Sequence, residues 1–289
     1  MWRESRERPP STTVPGVSGY SAKQALDQLS KPGEHEVLRG DLALVGLPGA
    51  VFTPASGYGL PAVAFGHGWL QPVGRYLGLL RHLASWGIVA AAPNTQRGPL
   101  LSARLHAANL STTLDICAGV RLGDGDISVD PAKLAVAGHS LGGGAAVLAA
   151  ADDERIRAVI TLAATETRPS ALDAARRVTA PGLHLAAGED RIAPPVGHAE
   201  AIAEAWLGPV QVRTLPKAGH LGFAEGRHWS ELLLDGKGER VATKLAKAFT
   251  TAFLLRTLTG DKTYDALLDN DVKGGDLTYQ RGALARARH

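Results

Sequence analysis

The chain holds one cysteine in 289 residues, so an intrachain disulfide is excluded and the fold must be stabilised by its core. Cys117 falls beside Ile116 and Val120 in a run that reads as helix, which makes it a small buried hydrophobe rather than a nucleophile. Nowhere do 18 apolar residues run uninterrupted, and the first 16 residues, MWRESRERPPSTTVPG, carry charge without the apolar stretch of an export signal. Cytoplasmic residence is therefore expected. An excess of one charge sign is missing too: 31 basic and 28 acidic residues are spread along the chain and leave a net +3. No basic stripe with interleaved aromatics argues for nucleic acid. Internal repeats and low-complexity tracts are absent as well.

What the chain does have is enough apolar residue, 45%, for one large core. Residues 1–20 and 270–289 lack periodicity and read as tails, the second of them basic, around a single domain over 21–269. Glu36 to Leu44 and Ala50 to Pro54 suggest an antiparallel entry pair. Pro61 to Gly66 is a buried-strand candidate, and Arg75 to Ser85 places Tyr76, Leu79, Leu80 and Leu83 on one helical face before the stop at Gly87. Strand and helix then alternate: Ile88 to Ala92, the long helix Ser102 to Leu122, Lys133 to Ala137, Ala158 to Leu162, Gly182 to Ala187 and Val210 to Leu215. The pattern predicts an α/β fold with a mostly parallel sheet covered by helices on both faces, functional residues lying at the C-terminal ends of its strands. No insertion is long enough for a large cap domain. The loops Thr95 to Leu101 and Gly226 to Lys237 are the candidates to overhang a site.

One segment carries chemistry. Leu134 to Leu148, LAVAGHSLGGGAAVL, sets the pentapeptide Gly138-His139-Ser140-Leu141-Gly142 between a strand and a small-residue helix. In a G-x-S-x-G turn the glycines are needed because the bend is too sharp for Cβ atoms, and the serine is exposed at its apex. The pentapeptide alone is a weak signal. A nucleophilic serine also needs a base, an acid to orient it and donors for an oxyanion.

Downstream, the strand ending at Ala187 runs into Gly188-Glu189-Asp190, and the strand ending at Leu215 is followed by a loop containing His220. The order Ser140, Asp190, His220 is that of the α/β-hydrolases, not of chymotrypsin or subtilisin. Glu189 and Glu166 are rivals for the acid. Among histidines, His184 lies in a strand, His198 in a predicted helix, and His228 in a loop without a preceding strand, which leaves His220 as the base. Upstream, Pro61 to Gly66 leads into His67-Gly68-Trp69-Leu70; the backbone N–H groups of Trp69 and Leu141 would face a developing oxyanion. The Trp69 indole would either wall the substrate pocket or lie buried under the loop. Trp69, His139 and Trp229 are the expected substrate contacts. His67, His139 and His220 have no metal-ligand spacing, and Gly66-His67-Gly68 lacks the third glycine of a dinucleotide fingerprint, so neither metal nor cofactor is expected.

The segments AFGHGWL and RHLASWGIVAAAPN (within Ala64 to Asn94), the serine segment, AAGEDRIAPP (Ala186 to Pro195), AGHLGFAE (Ala218 to Glu225) and AFLLRTLTGDKTYDALL (Ala252 to Leu268) together resemble an α/β-hydrolase group. That group contains dienelactone hydrolases, cutinase-like polyester hydrolases, platelet-activating-factor acetylhydrolases and chlorophyllases. The resemblance spans about Val37 to Leu268. It implies a serine carboxylic ester hydrolase working through an acyl-enzyme, with Asp190 as the acid. A thioesterase, amidase or acyltransferase would use the same residues, and a non-catalytic binding protein on the same scaffold is the rival of another class. Unlike secreted cutinase-like members, the chain has Leu141 instead of methionine after the serine, no tryptophan in the loop Ala163 to Pro169, and no C-terminal disulfide. Short to medium acyl esters are therefore expected ahead of polyesters, as a small-molecule or lipid-like substrate.

Overall fold

The computed structural model describes residues 19–282 except 97, 99 and 227–238. Helix α1 (Ala22–Leu29) leads into an antiparallel pair, β1 (Val37–Asp41) and β2 (Gly49–Pro54). There follow β3 (Gly57–Gly66), α2 (Leu77–Ser85), β4 (Val89–Pro93), α3 (Ala103–Gly119), β5 (Ile127–His139) and α4 (Leu141–Asp152). The chain continues through β6 (Ile156–Leu162), α5 (Ala171–Ala175), β7 (Gly182–Ala187), α6 (Ala199–Ala205) and β8 (Val210–Leu215), then α7 (Glu239–Leu254), α8 (Asp265–Asp269) and β9 (Asp276–Arg281). Among the described residues nine strands form one sheet in the order β1-β2-β4-β3-β5-β6-β7-β8-β9. From β4 to β8 the neighbours are parallel. No described helix is long and apolar enough to cross a membrane.

Side chains alternate across the pleat, and both faces are buried. Val63, Phe65, Ala135, Ala137, Ile160, Leu162, Leu183 and Leu185 pack on one side with α1, α2, α7 and α8. Ala62, Ala64, Leu134, Val136 and Val159 pack on the other with α3, α4, α5 and α6. Two-sided burial is why the central strands read as continuous apolar runs rather than as alternating ones.

The expected helix Arg75 to Ser85 is divided. A 3-10 turn, Val73–Tyr76, precedes α2 and buries both Arg75 and Tyr76. The C-terminal helix is divided too: α7 passes through a π turn, Leu255–Thr259, and stops at Gly260, whose φ is +74°. A larger correction concerns the described part of the segment 270–289, expected as a tail. Asp276–Arg281 pairs antiparallel with β8 and closes the sheet edge. Arg213 explains the docking. Fully buried on β8, it donates to Leu268 O (2.5 Å) and Asn270 O (2.9 Å) at the end of α8 and stacks over Phe249 at 4.6 Å. Gln211 Nε2 donates to the same Leu268 O (2.7 Å), so β8 supplies donors to carbonyls that end a helix without partners inside it.

Three glycines allow β3, β5 and α4 to meet backbone to backbone. A Cβ on Gly138 would stand 2.2 Å from Gly142 O, and one on Gly142 would stand 2.2 Å from Gly66 O and 2.6 Å from His67 O. Gly142→Ala should therefore destabilise the protein by about 1–3 kcal/mol through forced separation of these elements. Gly119→Ala, where an added Cβ meets nothing within 4 Å, should stay within about 0.5 kcal/mol of the parent. Urea denaturation of both variants at neutral pH checks the contrast.

Candidate active site

Ser140 sits between β5 and α4 with φ +55° and ψ −123°, a conformation an L-residue rarely adopts. Four backbone bonds hold it there. Its N–H donates to Leu162 O (2.9 Å) at the end of β6, and its carbonyl accepts from the N–H groups of Gly143 (2.9 Å), Gly144 (3.2 Å) and Thr165 (3.1 Å). The helix begins at Leu141, whose N–H is one of the first-turn donors without an acceptor inside the helix.

Asp190, three residues past β7, and His220, which opens a 3-10 turn after β8, converge on this serine. Ser140 Oγ lies 2.8 Å from His220 Nε2, and His220 Nδ1 lies 2.7 Å from Asp190 Oδ2. The carboxylate accepts the Nδ1 proton, which leaves Nε2 bare to accept from the serine hydroxyl. Asp190 is itself fixed, its Oδ1 accepting from the N–H groups of Ile192 (2.9 Å) and Ala193 (2.8 Å). All three side chains are largely buried.

The rivals are occupied elsewhere. Glu166 accepts from Leu172 N–H, Glu189 is exposed, His184 bonds the Thr161 hydroxyl inside the sheet, and His198 Nδ1 accepts from Glu166 N–H. His228 and Trp229, the latter an expected substrate contact, lie outside the described residues, as does most of the Gly226 to Lys237 segment. Among the described residues, no three His, Cys, Asp or Glu side chains gather as a metal site.

The loop after β3 runs beside Ser140: a Cβ on Gly68 would lie 3.3 Å from Ser140 Cβ and 3.0 Å from His139 Nδ1. Gln71 N–H closes this loop on Gly68 O (3.0 Å), with Leu70 at φ +54°. His67 links it to the neighbouring loop, its Nε2 standing 2.7 Å from Thr95 O. Trp69 is half exposed (50%), so its indole is not buried under the loop; Leu70 on the same loop, and Ile192 and Val196 after Asp190, are exposed apolar residues as well.

His139 requires a correction. Expected as a substrate contact, it is 0% exposed and has both ring nitrogens engaged, Nδ1 with the Tyr76 hydroxyl (2.8 Å) and Nε2 with His220 O (2.8 Å). It lies beneath the site rather than lining it. Tyr76 also accepts from Gly68 N–H (3.2 Å). The sequence displays Tyr76 as one apolar position of a helical face, and nothing in that pattern reveals its hydroxyl's partners.

A parallel sheet, a strained serine between strand and helix, and an acid and histidine after later strands define the α/β-hydrolase fold. A family model described as PET hydrolase-like matches residues 48–271, and the chain belongs to that family. It is also similar to Lipase 1 of Moraxella sp. (strain TA144), with 28% identity over 218 residues, 75% of this chain and 61% of the lipase. The matched region thus spans under two thirds of that relative's length.

Burial keeps several histidines neutral. His82 is pushed down to about 4, and His106, His139 and His184 to about 3, chiefly by loss of solvation; Lys247, His67 and His220 add repulsion to the first three in turn. An unfolded histidine titrates near 6.5, so below that pH the unfolded chain binds protons that the native state refuses. Stability should therefore be complete above about pH 7 and fall as pH drops from about 6.5 towards 4, by up to about 1.4 kcal/mol per pH unit for each histidine. Urea midpoints at pH 7.5, 6 and 5 test the trend; an unchanged midpoint would refute it.

Proposed function

We propose that the protein is a serine carboxylic ester hydrolase. The observation that carries this reading is the hydrogen-bonded series Ser140, His220, Asp190 at a strained strand-to-helix turn. Ser140 Oγ attacks the ester carbonyl carbon while its proton passes to His220 Nε2. The carbonyl π electrons move onto oxygen, and the N–H groups of Trp69 and Leu141 receive that charge. The intermediate collapses, the C–O bond to the alcohol breaks, and the alcohol leaves with the proton from His220. Water then adds to the acyl-enzyme by the same steps, giving up its proton to His220 and releasing the carboxylic acid and Ser140. Asp190 holds the imidazole in its tautomer and stabilises the imidazolium without taking the proton. Membership of the PET hydrolase-like family and the similarity to a lipase support ester chemistry over thioester or amide chemistry.

Short and medium acyl esters are the substrates we place first. Between Ser140 and His220 the chain spends its length on core strands and helices, leaving no cap in that stretch to enclose a long acyl chain. A second reading, hydrolysis of ester groups presented on an apolar surface such as a polyester or lipid, is favoured by the exposed apolar side chains of Trp69, Leu70, Ile192 (56%) and Val196 (78%) on the loops after β3 and β7.

Ser140→Ala should abolish labelling by a fluorophosphonate probe and lower kcat on p-nitrophenyl butyrate by about 10⁴-fold or more. Asp190→Asn should cost about 10⁴-fold, whereas Glu166→Gln should stay within about twofold. An unlabelled wild-type protein would favour the binding-protein alternative.

Steady-state kinetics on p-nitrophenyl acetate, butyrate, octanoate and palmitate should give the highest kcat/KM in the short to medium range. A steady rise to palmitate, or fast release of soluble products from a polyester film, would select the second reading.

A further inference from the structure

The buried polar atoms beneath Ser140 form a second hydrogen-bonded series that the reaction just described does not use. It runs from Gly68 N–H to Tyr76 Oη (3.2 Å), from Tyr76 Oη to His139 Nδ1 (2.8 Å), and from His139 Nε2 to the carbonyl oxygen of His220 (2.8 Å). Tyr76 and His139 are both fully buried. The proton positions follow from the two ends. The Gly68 amide can only donate and the His220 carbonyl can only accept, so His139 carries its proton on Nε2 and Tyr76 donates to the bare Nδ1.

One arrangement satisfies every atom, and it requires both side chains neutral. Burial raises the Tyr76 phenol far above its ordinary range and lowers the His139 imidazole to about 3, with the nearby His220 adding to the second effect. Neither group exchanges its proton across the pH range in which an esterase works. Both ends of the series are backbone groups, an amide and a carbonyl, with no proton to give up or accept, so it holds geometry.

Its two ends matter. Gly68 immediately precedes Trp69 on the loop that would hold the oxyanion, while His220 is the proposed base, so both are coupled through one tyrosine and one histidine. A parallel tie runs through the preceding residue: Arg75 donates to Gln71 Oε1 (2.6 Å) on the same loop and to Glu225 O (3.1 Å) and Gly226 O (2.9 Å) beyond the histidine turn. The arginine joins the flanks of the two segments; Tyr76 and His139 join their reacting parts.

We propose that Tyr76 and His139 are positioning residues that set the oxyanion loop and the backbone of His220 at a fixed distance, so that donor and base are aligned together before substrate arrives. The proposal rests on the Ser140, His220, Asp190 reading. Misalignment on the order of 1 Å at a reacting centre costs about 10²-fold in rate while leaving binding contacts in place.

Tyr76→Phe deletes one oxygen and keeps the ring that packs against Phe65. On p-nitrophenyl butyrate its kcat should fall about 10- to 100-fold with KM changed by less than about threefold. His139→Gln offers an amide oxygen and nitrogen in place of the two ring nitrogens and should keep kcat within about fivefold, whereas His139→Leu should lose as much as Tyr76→Phe. The Tyr76→Phe/His139→Leu pair should lose no more than either single change, because each breaks the same series. Circular dichroism and Tm establish folding, and Ser140→Ala is assayed alongside. Wild-type kcat in Tyr76→Phe, or fully additive losses in the pair, would overturn the positioning role and leave the nucleophile assignment intact. Activity retained in Ser140→Ala would overturn the underlying reading instead. Should Tyr76→Phe fail to fold, the two His139 variants decide: equal kcat in both would refute the proposal.

Discussion

Everything in this site depends on one backbone residue held where an L-amino acid is uncomfortable. Ser140 at φ +55° stores strain on the order of 1–3 kcal/mol, and it stays there because its N–H and carbonyl are bonded to β6, α4 and the loop after β6. The turn that carries it also requires α4 to approach β3 and β5 more closely than any side chain permits. The glycines at 66, 138 and 142 follow from that requirement. A relaxed serine would turn its hydroxyl away from His220, and the acid and base would have nothing to act on.

Around that strained residue several polar side chains are buried, and those in direct line with it are paired. Asp190 accepts three hydrogen bonds, and Tyr76 and His139 are satisfied at every polar atom. Such networks specify one geometry because a half-made version would strand a donor or acceptor away from water, at a cost of about 1–3 kcal/mol per group. The loops that carry Trp69 and Asp190 differ: Trp69, Leu70, Ile192 and Val196 meet solvent there.

Much of this was legible in the amino-acid order. The strands and most helices announce themselves through apolar runs and spacing, and Ser140, Asp190 and His220 each follow a recognisable strand; the fold brings these three side chains together. The errors share a cause: they concern residues whose roles are set by distant partners. His139 beside the serine looked like a pocket residue, yet its neighbours are Tyr76 and the His220 carbonyl, 63 and 81 residues away in sequence. Tyr76 looked like a packing residue because a helical face records only its ring. Residues 270–289 read as a tail because β9 alternates over only two apolar positions, Leu277 and Tyr279, too short a signal to stand out; its place is set by pairing with β8 and by the buried Arg213.

That C-terminal strand has a consequence for how the molecule behaves in company. Without β9, β8 would present a bare ladder of amide and carbonyl groups that ends a few residues before the histidine. Exposed edges of this kind recruit strands from other chains and seed aggregation. By covering β8 with Asp276–Arg281, whose outward positions are polar and charged, the chain shields the strand that delivers its base from intermolecular pairing. Trimming the C-terminus to the last helix would therefore yield a stickier protein, not merely a shorter one.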